Sequence, residues 1–434
     1  MKRFILSAAS ALALVPGGVA AQDPAAVSYI HAGRLLDRPG EAPRGPSTVI
    51  VRDGKVAEVR DGLVSPEAGA TLVDLKDSFV MPGMIDMHVH LLGIGGDPLR
   101  ARLEALTSED EDDVLYGAGN ARTTLRAGFT TVRDLGGTAR SIRALRDAIA
   151  RGDVEGPTIV NAGEPISVTG GHGDPLNGLS STIAHAIEPE VVNTCDGADD
   201  CRRAVRRQVG RGAQVIKFMA TGGVLSNVSG GLGRAMMPEE MKAVIDTAHA
   251  LGRKVAAHSH AKEGTAAAVE AGVDTIDHGT FLDDATVRLM KARGTWLVPT
   301  MIAPVTALQQ ARAGLLPPAT IPKAEEAGAA ARESHRRAIA AGVRIAFGTD
   351  SGVSKHGENA KEFALMVDAG MTPAQAIKAA TADAAEALGR PEIGGIAPGM
   401  AADIIAVDGD PLADVRQLED VDFVMKAGKV VRRD

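Results

Sequence analysis

From Pro82 onward the chain repeats one pattern: a short run of β-branched and apolar residues, a turn, then a helical stretch. The strand candidates are Met84–His90, Thr130–Arg133, Thr158–Ala162, Val215–Ala220, Val255–His258, Thr275–His278, Trp296–Pro299 and Ile345–Thr349. Several are near-continuous apolar runs, the mark of parallel strands buried on both faces. Helical candidates lie between them. Pro238–Leu251 opens with Glu239 and Glu240 and stops before Gly252, so acid meets the positive helix end and glycine supplies the left-handed cap. Eight strands alternating with helices predict an α/β protein with a closed (β/α)8 TIM barrel. The competing fold, an open doubly wound sheet, favours a glycine-rich turn after its first strand. Here that position holds His88-Val89-His90.

The flanks are patterned differently. Short strands and turns fill residues 27–80 (Ser47–Arg52, Lys55–Val59, Thr71–Asp74) and residues 395–434 (Asp403–Val407, Phe423–Val431). One small composite β-sandwich domain built from both termini explains the pair. The expected division is a signal peptide over 1–21, the two parts of the β domain over 22–80 and 391–434, and the barrel over 81–390. The stretch Glu164–Asp200 has weak periodicity and is rich in Gly, Ser, Asn and Pro. Because it follows the third strand, it is expected as a loop over the barrel mouth.

Composition sharpens this picture in three places. Aromatics are only 3% against 50 glycines, which predicts a core of Ala, Val, Ile and Leu joined by many tight turns. A net charge of −8 excludes nucleic acid as the main partner, since phosphate binding requires a basic face. Lys2 and Arg3, the apolar run Phe4–Val15 and the small residues Val19-Ala20-Ala21 form a tripartite export signal with a cut after Ala21. An uncleaved amphipathic N-terminus is the alternative. No later run reaches the roughly 18 apolar residues of a membrane helix, so the expected mature protein is free of the membrane and periplasmic or secreted. The two cysteines, Cys195 and Cys201, can close a small disulfide loop in an oxidising compartment. Metal ligation by both thiols is the alternative, but no further Cys or His nearby completes a set.

In a barrel, residues at strand C-termini converge on one mouth. His88 and His90 end the first strand, with i, i+2 spacing that directs both imidazoles to one point. Lys217 sits inside the apolar strand Val215-Ile216-Lys217-Phe218-Met219, where a free ammonium is costly to bury. His258, His278 and Asp350 close or follow three more strands. Each has an ordinary reading alone: a structural histidine, a capping aspartate, a salt-bridged or Schiff-base lysine. Their joint placement at one end of the barrel points to a metal site.

Met81-Pro82-Gly83-Met84-Ile85-Asp86-Met87-His88-Val89-His90 resembles the opening signature of the amidohydrolase superfamily, and Gly399-Met400-Ala401-Ala402-Asp403-Ile404 resembles its C-terminal β segment. Within it the chain is similar to the imidazolonepropionase-like group with the zinc-dependent Xaa-Pro and Xaa-Arg dipeptidases, and to amidohydrolases that cleave ochratoxin A. Thr169-Gly170-Gly171-His172-Gly173-Asp174, Ile216-Lys217-Phe218-Met219-Ala220-Thr221-Gly222-Gly223 and Asp277-His278-Gly279 carry that likeness. The resemblance implies two divalent metal ions, with Zn2+ favoured and Mn, Co or Ni as other options. His88, His90 and Asp350 would hold one and His258 and His278 the other, bridged by a CO2-derived carbamate on Lys217. A metal-bridging hydroxide would attack an amide or dipeptide bond of a small-molecule substrate, with Asp350 as general base. His172 would donate to the carbonyl oxygen or bind the substrate carboxylate; a loop histidine without a role is its other reading. The resemblance also implies a homo-oligomer, with an octamer as one option.

Members of the dipeptidase group place a tyrosine after the lysine strand. Gly230–Pro238 has none and carries Met236 and Met237, which points to a more apolar pocket and an N-acyl amino acid such as an N-acyl-phenylalanine. Two rivals stand beside this reading. His260-Ala261-Lys262-Glu263 resembles the His-x-x-Glu of mononuclear deaminases and cyclic-amide hydrolases. The other is an exported binding protein that has lost catalysis, against which the retained Asp350 argues.

Overall fold

The computed structural model describes residues 27–104, 106–226 and 231–434; the export signal expected over 1–21 lies outside them. Among the described residues fourteen strands run in chain order: β1 Val27–Leu35, β2 Ser47–Arg52, β3 Lys55–Asp61, β4 Thr71–Pro82, β5 Met84–Val89, β6 Phe129–Asp134, β7 Thr158–Asn161, β8 Val215–Met219, β9 Lys254–Ser259, β10 Thr275–His278, β11 Trp296–Val298, β12 Ile404–Val407, β13 Phe423–Lys426 and β14 Lys429–Arg433.

Strands β5 to β11 are the staves of a parallel barrel, hydrogen-bonded as β5-β6-β7 and β8-β9-β10-β11. Two irregular joints close the ring. Ile166 pairs in parallel with Phe218, through Ile166 N to Lys217 O at 2.8 Å and Met219 N to Ile166 O at 2.9 Å. Residues 344–351 form the eighth stave between β11 and β5. Leu297 N donates to Arg344 O at 2.8 Å, Met87 N to Phe347 O at 2.9 Å and Asp350 N to His88 O at 2.7 Å. The strand expected at Ile345–Thr349 is therefore a stave, but not a regular strand. Phe347 N and Ile85 N turn outward to the carbonyls of Ala379 and Ala380, so that turn interrupts the ladder.

The two flanks build one sheet in the order β14-β13-β12-β4-β1-β2-β3. Alternation sets its buried face: Ile30 and Ala32 on β1, Val49 and Val51 on β2, Ile404 and Ala406 on β12 share one core. The sheet rolls over that core until its hairpin tips touch. Gly54 and Gly428, both at positive φ, approach so closely that a Cβ on Gly428 would lie 2.8 Å from Gly54 Cα, which glycine alone permits. Strand β4 runs eight residues past the expected Asp74, to Pro82, because Phe79, Val80 and Met81 are buried and pair with β12. The single strand expected over Phe423–Val431 is a hairpin. Ala427 and Gly428 both take positive φ, the backbone of a tight two-residue turn between β13 and β14.

The stretch Glu164–Asp200 is less irregular than its composition predicts. It contains a helix over Ser181–Ile187, a 3-10 turn over Glu188–Glu190 and the start of the helix Ala198–Gly210. Asn193 pins it, donating from Nδ2 to Pro165 O and Gly173 O at 2.8 Å each. Cys195 and Cys201, both buried, form a disulfide between this braced segment and the helix. Among the described residues no helix is long and apolar enough to cross a membrane.

A loop this short, closed by residues six apart in sequence, removes roughly 2 kcal/mol of chain entropy from the unfolded state. Reduction, or Cys195→Ser, is expected to lower Tm by a few degrees and to open the 164–200 segment to proteases. Scanning calorimetry with limited proteolysis checks this; an unchanged Tm and cleavage pattern would refute it.

Candidate metal centre

The staves bring His88, His90, Lys217, His258, His278 and Asp350, and the segment after β7 brings His172, to the wall of one cavity of about 350 Å³ at the barrel mouth. Asp350 lies between the first two imidazoles, its Oδ1 3.1 Å from His90 Nε2 and 3.5 Å from His88 Nε2. His90 Nδ1 donates to Gly136 O at 3.0 Å, which turns Nε2 toward Asp350. On the far side His278 Nδ1 lies 2.8 Å from Thr300 Oγ1, and His258 Nε2 lies 3.3 Å from Gly222 O. The ring centroids of His258 and His278 are 4.6 Å apart, and those of His88 and His278 are 5.1 Å apart.

Backbone geometry makes the convergence possible. Strand alternation places adjacent residues on opposite faces, yet Asp277 and His278 both enter the barrel mouth region. His278 takes φ 76°, and Thr300 and Asp350 take 47° and 59°. Three of the five positive-φ non-glycine residues among the described residues thus sit at this site. Such conformations cost roughly 1–3 kcal/mol each and persist where the surroundings enforce them. The start of the helix Ile302–Arg312 is held by Glu362, which accepts from Met301 N and Ile302 N at 2.7 Å each, next to Thr300.

The electrostatics suit a divalent cation. Burial pushes the His88 and His172 imidazoles down to about 4 and leaves His258 and His278 well below the ordinary value. At neutral pH these rings carry a free lone pair, the state a metal requires. Burial disfavours charge on His90 as well, but its hydrogen bond to Asp350 and that carboxylate's charge outweigh it and raise its pKa. Burial also works against the Asp350 anion, and His88, His90 and His278 overcome it, holding the carboxyl well below the usual range. His88, His278 and Asp350 offer ligand atoms within 4.8 Å of one another, all buried. Neutral imidazoles around one carboxylate are a donor set that fits zinc or a similar ion.

Lys217 Nζ donates to Asp277 Oδ2 at 2.9 Å. The other Asp277 oxygen accepts from Arg133 at 3.1 Å and from Thr275 Oγ1 at 2.9 Å. Arg133 is itself fully buried and donates from Nε to Met87 O at 2.6 Å. His88 Nδ1 stands 3.1 Å from the same Asp277 Oδ2, without hydrogen-bond alignment. Burial lowers the Lys217 pKa, with Asp277 opposing. Sequence reasoning missed Asp277 and Arg133. The signal was the Asp277-His278 pair, which alternation splits unless the second residue adopts positive φ.

The remaining candidates separate clearly. His172 packs its ring against Gly223, where a Cβ would lie 2.3–2.4 Å from three ring atoms, and its buried Nδ1 has no partner. His260 lines the cavity, with Nδ1 2.7 Å from Thr280 Oγ1. Glu263, its partner in the deaminase-like motif, is exposed in the first turn of the helix Lys262–Ala271 and does not line the cavity. Above the polar floor the wall is apolar and built of small residues. Ala303 and Ala307 from the helix Ile302–Arg312 face Ala324, Ala327 and Ala331 from the helix Ile321–Ala340, with Val224 and Leu225 beside them.

Comparison with known proteins matches residues 79–431 to the amidohydrolase family. An ochratoxinase of Aspergillus niger is 32% identical over 433 residues, covering 95% of this chain and 88% of that protein. Among solved structures, a Xaa-Pro dipeptidase with methionine bound in its active site superposes with a TM-score of 0.88 at 36% identity, covering 93% of this chain and 99% of that one. A prolidase complexed with N-methylphosphonate-L-proline gives 0.85 at 30% identity, covering 94% and 100%.

The buried imidazoles dictate acid sensitivity. Burial holds His88, His172, His335 and His356 at about 4 and His260 at about 3, against about 6.5 in an unfolded chain. Between those values the unfolded chain binds more protons, so this stability is present above pH 6.5 and lost as pH falls toward 4. Three buried acids, Asp86 and Asp134 at about 6 and Glu362 at about 8, run the other way and offset part of the slope. Each uncompensated histidine removes about 1.4 kcal/mol per pH unit. The metal-stripped protein should therefore lose Tm by several degrees per pH unit between 6.5 and 4.5; a flat calorimetric profile would contradict it.

Proposed function

This chain belongs to the amidohydrolase family and is a hydrolase acting on amide bonds, and from that premise we propose that it cleaves dipeptides or N-acyl amino acids at a binuclear metal centre. The observation that carries the reading is the buried Lys217, set among the neutral imidazoles and Asp350 at the floor of a cavity walled by alanines. His88, His90 and Asp350 would hold one ion and His258 and His278 the other, with Lys217, as a carbamate, available to both. Burial favours the neutral amine of Lys217, the form that reacts with CO2. Two bound divalent ions would polarise the amide carbonyl and lower the pKa of water.

The chain's own groups supply the rest. Asp350, held as the anion by three neighbouring histidines, accepts the proton of the attacking water and returns it to the leaving amine. His172, neutral and packed against Gly223, would hydrogen-bond the carbonyl oxygen or the substrate carboxylate. The small-residue wall leaves room for a bulky apolar group, which favours an N-acyl-phenylalanine of the ochratoxin A type over a small dipeptide. The disulfide fits an oxidising compartment, in line with export to the periplasm or medium. Deamination through His260 and Glu263 has no support in the geometry, since Glu263 faces solvent.

The test couples metal content to turnover. Gently purified protein is expected to contain about two metal ions per chain by plasma mass spectrometry and to hydrolyse N-acyl-phenylalanines. Lys217→Ala should lower metal content and abolish hydrolysis. Asp350→Asn should retain metal and lose activity by about 100-fold or more. A content near one, unchanged in Lys217→Ala, would overturn the binuclear reading. Cleavage of dipeptides with no N-acyl-phenylalanine turned over would overturn the acyl preference.

A further inference from the structure

Lys323 is the third residue of the helix Ile321–Ala340, and its ammonium reaches back 100 residues in sequence to the loop after β8. Nζ donates to Gly223 O at 2.9 Å and to Ser226 O. Those carbonyls bracket Val224 and Leu225, which line the cavity, and Gly223 is the residue against which the His172 ring packs. The next residue, Ala324, lines the cavity too. Lys323 is not itself a lining residue, but its ammonium is bonded to the residue on which the His172 ring rests.

An ammonium has three N–H groups, and the two carbonyls take two of them. Among the described residues no carboxylate offsets its charge; burial alone acts on its pKa, downward. The ammonium charge acts on the His172 ring, which rests on the same Gly223 whose carbonyl Lys323 holds. A half-buried cation held only by neutral dipoles is already ordered and has no salt bridge to give up when an anion arrives. A carboxylate entering an apolar cavity needs such a partner, because its lost hydration is otherwise uncompensated.

We propose that Lys323 receives the free carboxylate of the substrate through its third N–H, so that the enzyme selects amides whose amine half is an amino acid with an unblocked α-carboxylate. This rests on the reading of the substrate as a dipeptide or N-acyl amino acid. It makes Lys323 a specificity-determining residue, with no part in the bond-breaking step.

The metal-loaded enzyme is assayed with N-benzoyl-L-phenylalanine and its carboxamide, by kcat/KM and by calorimetric titration for Kd. The acid is expected to be preferred about tenfold or more. Lys323→Met should raise KM and Kd for the acid roughly 10- to 100-fold, leave the carboxamide within twofold and barely move kcat. Lys323→Arg should restore most of the preference. Equal losses for acid and carboxamide would mean that Lys323 only clamps the Gly223–Ser226 loop, and would overturn the proposal. An acid preference that persists in Lys323→Met, or no binding of either compound to the parent enzyme, would also overturn it. Lys323-dependent preference in Kd without cleavage of either compound would support the carboxylate site while removing the substrate reading beneath it.

Discussion

Asp277 is the group on which the mouth of the barrel depends. It is fully buried, and an isolated carboxylate there would cost several kcal/mol. Burial accordingly drives its pKa up, and the flanking Lys217 and Arg133, with a smaller share from His88, bring it well below the carboxylate range. Those contacts cross the barrel interior and tie β10 to β8 and β6, and Arg133 extends the link to β5 through Met87 O. The arrangement distinguishes its two cations. Arg133 cannot lose its proton in a protein, so Asp277 keeps a permanent partner whatever state Lys217 adopts. Lys217 can exchange its ammonium for the neutral amine without leaving a buried anion alone. A lone Lys–Asp pair in the same place would forbid that exchange, because removing one partner of a buried pair costs about 3–5 kcal/mol.

Parallel topology is why so much could be read from the chain. Every stave in the barrel points the same way, so a residue at the C-terminal end of an apolar run has a known location before any contact is known. His88, His90, Lys217, His258, His278 and Asp350 were placed on that basis, and they do line one cavity. The same logic hid Asp277 and Arg133. One precedes His278 by a single position, and the other lies within β6, where alternation alone does not say which neighbours meet across the axis. The positive φ of His278 is a tertiary outcome, enforced by the Thr300 contact and the His335 hydrogen bond to its carbonyl at 2.6 Å.

Other features failed to show in the sequence for equally local reasons. The eighth stave reads as a strand because Ile345, Ala346 and Phe347 are apolar, but its ladder is broken by hydrogen bonds to the turn at Ala379 and Ala380. The hairpin at Ala427 reads as one strand because only Gly428 marks it, and the residue before it pays the strain of positive φ without being glycine. The alanine wall is the clearest case. Alanines spaced at 324, 327 and 331 are ordinary helix residues. They become a cavity wall only when a second helix brings Ala303 and Ala307 opposite them.

That wall and Lys323 together give the cavity a direction. Amide substrates with an apolar acyl group and a carboxylate on the amine half have two ends of opposite solvation. Placing the carboxylate against the alanines would strip its water with no donor in return, whereas placing the acyl group there removes apolar surface from water. Lys323 and His172 meet at Gly223, beside the Val224 and Leu225 part of that wall, where donors for the carboxylate end are at hand. In the proposed reaction the scissile bond would be carried over the imidazole and carboxylate floor in one orientation, with the leaving amine on the Lys323 side. Orientation would then follow from desolvation of the two ends, with none of it required from the groups that would hold metal.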